Sequence, residues 1–380
     1  MVLQCMAKKM NRVNLVTIGN LARNAKFFTE EMQNKYNITN ILINEESIGL
    51  TKEIIISRKQ NKITLLMNTI KSYIELLKSD IIISYTGTLS SVLFRYFFVY
   101  IKSKKYIAYA TGSDLREAIY YKKDGEIIKK FFLKSNKVIV SNYDRFTQNS
   151  IKELNLNNVY FHNFYVQTED NYKYLDNDNY HFSDNYIKAQ EFIKGSFSIY
   201  MPSNIDFTEI QNNNKHFCSK GNDIAFEVFL KFINNYPDTK ILLRNGGPDL
   251  ELSKSLLSKI QKSVFFVDIL NKKELLNLIN KADVIFDQFY LDAFGGIGIE
   301  AASLEKPLLT LPPSNHFYKD DPHPFLFNFN SIDLYNNLEN LYFDNEYRKK
   351  YSKECKDWVF RNHSKKEIFK LEKIIRDTIG

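Results

Sequence analysis

The sequence predicts an α/β protein with two doubly wound parallel sheets, and three observations support this prediction. Apolar runs of strand length alternate with longer segments of helical period along the chain. Such alternation is typical of βαβ units, which build parallel sheets. The alternation comes in two series, separated by a polar stretch at residues 167–195 in which neither period is visible. With 380 residues, the chain is also long for one domain and sufficient for two.

The first series predicts an N-terminal Rossmann-like domain, which we place at residues 1–188. Its predicted strands are 13–18, 40–43, 80–84, 106–110 and 138–140, and its predicted helices lie near 25–35, 62–77, 89–101 and 145–154. The apolar runs are too short for helices and are bounded by polar or turn residues, which favours strands.

The second series predicts another Rossmann-like domain, at residues 189–355, followed by a helical tail at residues 356–380. Its predicted strands are 197–201, 240–243, 264–267 and 282–286, and its predicted helices are 224–234, 250–260, one from Lys272 and one that carries Glu300. Asn271 and Glu274 form a capping box, which places a helix start between them. In open parallel sheets ligands bind beyond the carboxyl ends of the strands, so we expect a cleft between the two domains to be the site.

Composition narrows the classes of ligand and compartment. Lys and Arg exceed Asp and Glu by 52 to 44, so the formal net charge is +8, which suits an anionic ligand or an anionic membrane surface. Cys5, Cys218 and Cys355 have neither metal-site nor disulfide spacing, and the most apolar run, 92–101, is too short to span a bilayer. The N-terminus lacks the apolar core of a signal peptide. We expect a cytoplasmic protein.

Residues 282–311 are the most informative stretch. A buried strand is followed by a loop that ends in Phe294-Gly295-Gly296, then by a helix with Glu300 one turn in, and Lys306-Pro307 opens another strand. A glycine turn at a helix N-terminus binds anions, because backbone N–H groups and the helix dipole face the ligand. Glu300 has the same charge as such an anion, so we expect it to accept hydrogen bonds from hydroxyl groups beside it. An anion next to hydroxyl groups describes a nucleotide sugar.

The same stretch resembles a known family. Asp292-Ala293-Phe294-Gly295, followed by Glu300-Ala301-Ala302 and Lys306-Pro307-Leu308, resembles the C-terminal signature of GT-B retaining glycosyltransferases of the GT4 type. In that family Glu-Gly-Phe-Gly is followed by Glu-Ala-Met and Gly-Lys-Pro-Val. Gly246-Gly247-Pro248 resembles the family's Gly-x-Gly-Pro, and Asp357-Trp358-Val359 resembles its closing helix, which crosses back to the first domain. The resemblance covers roughly half of the chain.

The resemblance implies a GT-B fold, with two Rossmann-like domains facing a central cleft. It implies transfer of a sugar, with retention, from a nucleotide-diphosphate sugar to a glycan or lipid-linked acceptor, as in bacterial surface polysaccharide synthesis. We expect a UDP-sugar as donor, no cofactor, no metal and no nucleic acid. A peripheral position on the inner face of the cell membrane fits a lipid-linked acceptor.

The expected site residues fall into three groups. The catalytic residues are Glu300, Asp292 and Lys220, the last to neutralise the diphosphate. The donor-binding residues are Gly246, Gly247, Phe294, Gly295, Gly296 and Arg244, where the glycines lack a Cβ and permit close approach. The acceptor or cleft residues are Gly19, Asn20, Gly112, Ser113, Asp114 and Arg116, all of which follow predicted strands.

Three departures from the family pattern keep other interpretations open. Asp292 stands where the family has Glu, and Ala110-Thr111 stands where the family has a histidine. A polar insertion at 205–219 stands where the family often has an arginine before its lysine, so Lys215 is an alternative to Lys220. One alternative is a nucleotide-sugar epimerase of GT-B fold, and another is a non-catalytic protein that binds a glycan, a nucleotide or a partner.

Two further features of the sequence are its basic and aromatic stretches and a pair of histidines. Basic and aromatic residues interleave at 94–109 and 120–137, which fits either an anionic membrane surface or core helices with a solvated charged side. His316 and His323 lack metal-site spacing, so we expect a loop there.

Overall fold

A computed structural model describes residues 12–19, 24–43, 47, 49–57, 59–85, 104–110, 115–116, 119, 125–141, 143–166, 175, 180–208 and 219–380. The described strands are β1 Asn14–Ile18, β2 Asn37–Ile43, β3 Glu53–Ile56, β4 Ile81–Tyr85, β5 Lys105–Ala110, β6 Lys137–Val140, β7 Val159–Phe161, β8 Ser198–Met201, β9 Lys240–Arg244, β10 Val264–Val267, β11 Val284–Phe286 and β12 Leu308–Leu309. The described helices are α1 Asn24–Met32, α2 Lys62–Lys78, α3 Gly125–Lys134, α4 Arg145–Glu153, α5 Asp184–Ile193, α6 Asn222–Asn235, α7 Leu250–Leu256, α8 Lys272–Lys281, α9 Gly296–Ser303, α10 Ser331–Phe343, α11 Asn345–Asn362 and α12 Lys366–Ile379, with 3-10 turns at Ser258–Ser263 and Asn315–Tyr318.

The chain forms two compact units, and each contains one parallel sheet. The first unit comprises residues 1–142, 146–165 and 365–380, and the second comprises 143–145 and 166–364. The strand order is β3-β2-β1-β4-β5-β6-β7 in the first sheet and β10-β9-β8-β11-β12 in the second, with every pairing parallel. The prediction of two doubly wound parallel sheets is confirmed.

The main part of the second unit begins at residue 166, whereas the second domain predicted from the sequence begins at residue 189. The difference arises from α5, a helix inside the stretch that shows no period in sequence. Ser183 caps this helix, and its backbone N–H donates to Oε1 of Glu274 in α8 at 2.6 Å. Phe192 packs on Phe265 of β10 with ring centroids 5.5 Å apart. These contacts make α5 part of the second unit.

The core of the first unit lies between its sheet and a layer formed by α1 and α12. The helical tail predicted from the sequence buries apolar side chains there, because Ile368, Leu371 and Ile375 of α12 are at most 4% exposed. They share one cluster with apolar side chains of α1 and of the sheet, among them Phe27, Phe28, Leu15, Ile83, Ile107 and Ile139. Burial of these large side chains is the main stabilising contribution here.

A buried histidine joins this sheet to α12. His162 follows β7, accepts at Nδ1 from the Tyr109 hydroxyl (2.7 Å), and donates from Nε2 to the carbonyl of Glu367 (2.7 Å). The carbonyl can only accept, so the proton lies on Nε2. The pKa of His162 is lowered to about 4, mainly by burial and also by the neighbouring Lys370 charge, while the Glu367 backbone opposes the shift.

His162 should therefore make the protein less stable in mild acid. The unfolded state binds a proton below pH ~6.5 while the folded state stays neutral, so the free energy of unfolding falls as pH decreases through this window. Between about pH 7 and about pH 5 we expect His162 to account for a loss of about 2 kcal/mol. Urea denaturation of the wild type and of His162→Gln, which keeps a donor and an acceptor, checks this. An equal loss in both proteins would show that His162 is not responsible.

Candidate functional site

The second sheet has a topological switch point between β8 and β11. These two strands are hydrogen-bonded neighbours, yet the chain proceeds from β8 to β9 on one side and from β11 to β12 on the other. At such a point the connections after the two strands diverge and leave a crevice at the carboxyl edge, where ligands bind in doubly wound folds. The segment after β8 leads to Lys220 and α6, and the segment after β11 leads to α9.

Lys220 joins the two connections at this edge. Its Nζ donates to Oε1 of Gln288 at 2.9 Å, and its carbonyl accepts from the backbone N–H of Phe289 at 2.8 Å. The Gln288 amide is oriented by its other end, since Nε2 donates to the carbonyl of Ala293 at 2.6 Å. A cation is thus held at the switch point beside the N-terminus of α6, whose first N–H groups also attract anions.

Gly221 allows this close approach of the two connections. It caps α6 in a left-handed conformation with φ 66°, and a Cβ at this position would lie 2.9 Å from the backbone nitrogen of Tyr290. A larger residue would therefore separate Lys220 from the segment that follows β11.

The anion that faces Gly295 in this structure is a side chain of the protein itself. A Cβ on Gly295 would lie 2.0 Å from Oδ2 of Asp287, and one on Gly298 would lie 3.0 Å from the same oxygen. Asp287 is buried, which raises the pKa of its carboxyl, while the Lys220 charge and the backbone of Gly295 and Gly298 lower it. Asp287 thus gives Gly295 a structural reason to lack a Cβ, and the expected donor contact of its backbone stays a prediction. Gly296 is different, since a Cβ there would meet nothing within 4 Å.

Glu300 lies on α9 and forms a partly buried ion pair with Lys272 at the start of α8. The side chain retains 18% of its accessible surface, so it is held in place without being fully covered. An acid positioned in this way can accept hydrogen bonds from hydroxyl groups. Lys272 follows the cap Asn271, whose side chain accepts from the Glu274 backbone at 3.1 Å, so the position of the ion pair depends on that cap.

Asp292 lies in the loop between β11 and α9 and is half-buried. Its Oδ1 accepts from the backbone N–H of Arg145 at 3.2 Å. Burial raises the pKa of this carboxyl, and the hydrogen bond from Arg145 opposes the shift.

Close backbone contacts explain a glycine in the segment after β9. Gly247 has φ 123°, and a Cβ there would lie 2.1 Å from the carbonyl oxygen of Ile205. Asp249 continues the same contact, since its Oδ2 accepts from the backbone N–H of Phe207 (2.5 Å) and of Thr208 (2.8 Å). Gly247 and Asp249 therefore hold the segment that leaves β8.

The neighbouring residues Arg244 and Gly246 lie closer to the carboxyl edge. A Cβ on Gly246 would meet Nε of Arg244 at 3.4 Å, and Gly246 also accepts from the Ile205 backbone at 3.0 Å. Arg244 ends β9, one strand away from the switch point, so its cation belongs to the same edge of the sheet as Lys220.

Phe294 belongs to an aromatic core. It is 4% exposed, and its ring contacts the rings of Tyr318, His323, Phe325, Trp358 and His363 at centroid distances of 4.9–6.4 Å. The ring therefore packs within this aromatic core, next to the glycine turn that follows it in sequence. His323 is part of this core, and burial lowers its pKa.

Of the expected acceptor residues, the structure describes Gly19 and Arg116, both in the first unit. Gly19 ends β1 with φ 75°, at the switch point between β1 and β4, and its N–H donates to Ile41 at 2.9 Å. Arg116 is buried, with 4% exposure. Asn20, Gly112, Ser113 and Asp114, like the alternative cation Lys215, lie outside the described residues.

The two basic and aromatic stretches are core elements where the structure describes them. Tyr106 and Tyr109 lie in the interior strand β5 and are at most 3% exposed. Phe131 and Phe132 of α3 are buried in the same way. The described parts thus fit the core interpretation of these stretches rather than the membrane one.

Sequence reasoning missed three residues of this site, namely Asp287, Gln288 and Lys272. Asp287 and Gln288 follow an apolar strand directly and lie between Phe286 and Phe289. Two polar residues at the carboxyl end of a predicted strand are the signal that could have identified them. Lys272 carried no such signal, because its partner Glu300 is distant in sequence. Within the described ranges, no group of three or more His, Cys, Asp or Glu could hold a metal ion, and no helix is long and apolar enough to cross a membrane.

No protein-family model and no curated protein sequence matches the chain, but solved structures match it along nearly its whole length. HepE from Anabaena, in complex with UDP and glucose, has a TM-score of 0.67 at 9% identity, covering 97% of this chain and 99% of that one. WaaG, a glycosyltransferase involved in lipopolysaccharide biosynthesis, has a TM-score of 0.63 at 11% identity, covering 95% and 99%. The chain has the GT-B fold.

The GT-B fold is shared by enzymes of more than one reaction. A UDP-GlcNAc 2-epimerase from Neisseria meningitidis, bound to UDP-GlcNAc, has a TM-score of 0.57 at 15% identity, covering 97% of this chain and 99% of that one. Identities this low establish the fold alone. The Rossmann-like architecture expected for both halves is therefore confirmed, while the GT4 family and the retaining mechanism stay predictions.

Proposed function

We propose that this protein is a glycosyltransferase that moves a sugar, with retention, from a nucleotide-diphosphate sugar to a glycan or lipid-linked acceptor. One observation carries the proposal: the Lys220 cation and the N-terminus of α6 meet at the topological switch point of the second sheet. A UDP-sugar is the favoured donor, because HepE, which has the same fold, binds UDP and glucose.

Charge neutralisation is the chemistry that this site supports. When the bond between the anomeric carbon and the diphosphate oxygen breaks, the electron pair leaves on that oxygen as negative charge. Lys220 and the first N–H groups of α6 stabilise this charge, which is the main catalytic means available to a site of this kind. In a front-face reaction the acceptor hydroxyl bonds to the anomeric carbon on the side the diphosphate leaves, and its proton passes to the departing oxygen. No enzymic nucleophile is needed.

Glu300 is proposed to accept hydrogen bonds from the ribose hydroxyls of the donor. Glu300→Gln removes the charge but keeps the size, so we expect kcat/KM for the donor to fall about 10- to 100-fold, mainly through KM. Glu305→Gln is the matched control, because Glu305 also pairs with a lysine, Lys356, at 2.7 Å on the adjoining surface. Steady-state assays with varied donor concentration measure both variants.

Lys272→Met separates donor binding from a purely structural role of Glu300. If the ion pair only stabilises the fold, both partners' variants lower the melting temperature together and leave KM unchanged, which would contradict the assignment. If Glu300 binds the donor, only its own variant raises KM.

Epimerisation of a nucleotide sugar is the second candidate function, and the full-length similarity to the Neisseria epimerase supports it. Incubation with UDP-GlcNAc distinguishes the two reactions. Free UDP together with a glycosylated acceptor identifies a transferase, and an epimerised sugar identifies an epimerase.

A non-catalytic binding protein is the remaining alternative, because Asp292 stands at the position of the family's first glutamate. Thermal stabilisation by a panel of UDP-, GDP-, ADP- and CMP-sugars tests nucleotide-sugar binding directly. A shift with one nucleotide class supports the proposed donor site. No shift with any of them contradicts it.

A lipid-linked acceptor places the enzyme on the inner face of the cell membrane, and we include this position in the proposal. The net charge of +8 suits an anionic membrane surface.

A further inference from the structure

Helix α2 of the first unit has its apolar side turned to solvent. Six large apolar side chains are 42–77% exposed, namely Ile63, Leu66, Met67, Ile70, Ile74 and Leu77. At about 100° per residue they fall within a stripe of roughly 100° along the helix. We call this set the α2 stripe. Soluble helices normally bury such a stripe, so its exposure indicates an interaction surface.

The orientation of α2 is set by polar contacts on its inner side. Ser72 and Leu76 are the fully buried residues of the helix. The side-chain amide of Asn68 donates to the carbonyl of Ile55 in β3 at 2.8 Å, and Thr39 of β2 donates to Glu75 at 3.3 Å. Asn61 caps the N-terminus by accepting from Thr64 at 2.8 Å. The helix is thus attached to the sheet through Ser72, Leu76 and polar contacts, and turning its apolar side inward would break the hydrogen bonds of Asn68 and Glu75.

Lysines flank the stripe on both sides. Lys62 lies about 90° to one side of its centre, and Lys71 and Lys78 lie roughly 70–90° to the other. All three are exposed. The one acid of the helix, Glu75, faces Thr39 on the inner side. An apolar stripe bordered by lysines is the pattern of helices that lie in the interface of an anionic membrane.

The same charges disfavour a second copy of the chain as the partner. A twofold pairing of two α2 stripes sets the lysines of one helix beside those of the other, with no outward-facing acid to compensate. Like charges in that arrangement oppose association. An anionic lipid surface complements both the stripe and its lysines.

We propose that the α2 stripe docks the protein on anionic membranes, with the helix lying in the plane of the interface. Docking is a property of the first unit's surface, and it is measured without substrate. The α2 stripe is the surface by which the protein would reach the proposed membrane position. Docking does not depend on sugar transfer, so a negative result for docking does not contradict the proposed activity, and the reverse also holds.

Vesicle flotation with the full-length protein tests the proposal. We expect binding to vesicles of equal parts phosphatidylcholine and phosphatidylglycerol, and much weaker binding to phosphatidylcholine alone or at high salt. Leu66→Glu/Ile70→Glu should weaken binding by more than about 100-fold, because two apolar side chains are lost from the interface and two charges repel it. Lys71→Gln/Lys78→Gln should weaken it about 30-fold, at about five-fold per lysine.

The control variant replaces two exposed leucines that have the same spacing on another helix. Leu252 and Leu256 of α7, each 43% exposed, lie in the second unit, and Leu252→Glu/Leu256→Glu should bind like the wild type. Circular dichroism confirms that every variant is folded. Absence of wild-type binding, or equal binding by Leu66→Glu/Ile70→Glu, would overturn the proposal. The proposal would also be overturned if the protein bound no vesicles and light scattering showed a dimer that Leu66→Glu/Ile70→Glu dissociates.

Discussion

Replacing Lys220 with alanine is expected to lower kcat/KM for sugar transfer by about 10²- to 10³-fold. Lys220 is the cation held at the switch point of the second sheet, 2.9 Å from Gln288. Its charge is needed most when the diphosphate leaves, so we expect kcat to fall more than KM rises. Steady-state kinetics with a radiolabelled or coupled UDP assay measure this split.

Two further variants show whether the loss of activity in Lys220→Ala comes from the Lys220 charge at this site. Lys259→Ala removes an exposed lysine of the same unit and should leave kcat/KM unchanged. Gln288→Leu keeps Lys220 but removes its anchor, so we expect a smaller loss, about 10-fold, together with about 1–3 kcal/mol of destabilisation from the unpaired Ala293 carbonyl. Full activity in Lys220→Ala would show that the cation for the diphosphate lies elsewhere.

The fold could be predicted because its signals are local. Each strand of the second sheet is an apolar run that is visible in sequence, and β8, β9, β10 and β11 lie within one or two residues of their expected ranges. Helix α5 could not be predicted in the same way, because only Tyr186, Ala189 and Ile193 are buried along it. Three buried positions in ten residues are too few to stand out from a polar stretch.

The candidate site was only partly predictable, because its key contacts join distant residues. Lys220 contacts Gln288 and Glu300 contacts Lys272, and neither pair leaves a pattern in one short segment. Helix α2 shows a related difficulty. Its period predicts a helix and an apolar stripe, but the direction of the stripe depends on the contacts of Asn68 and Glu75 with other strands.

Gly295→Ala is expected to be strongly destabilising. Its Cβ would lie 2.0 Å from Oδ2 of Asp287, and Asp287 is only 3% exposed, so its side chain has little room to move away. We expect a loss of about 2–3 kcal/mol, which lowers the melting temperature by roughly 5–10 °C, and loss of activity as the start of α9 moves. Gly296→Ala is the matched control in the next residue, since its Cβ meets nothing within 4 Å. It should be neutral or slightly stabilising. Calorimetry and the transfer assay measure both variants.

Replacing Asp287, whose carboxylate faces Gly295, tests why residue 295 is a glycine. In an Asp287→Ala background the clash is gone, so Gly295→Ala should cost much less stability, with a coupling of about 1 kcal/mol or more between the two sites. If Asp287 is the only reason for the glycine, Gly295→Ala then has no further effect on donor KM. If the donor's phosphates also approach the backbone there, the double variant regains stability while donor KM stays raised above that of Asp287→Ala. Equal destabilisation by Gly295→Ala in both backgrounds would show that the Asp287 contact does not constrain the loop. Stability and KM together thus separate a glycine required by the fold from a glycine required by a ligand.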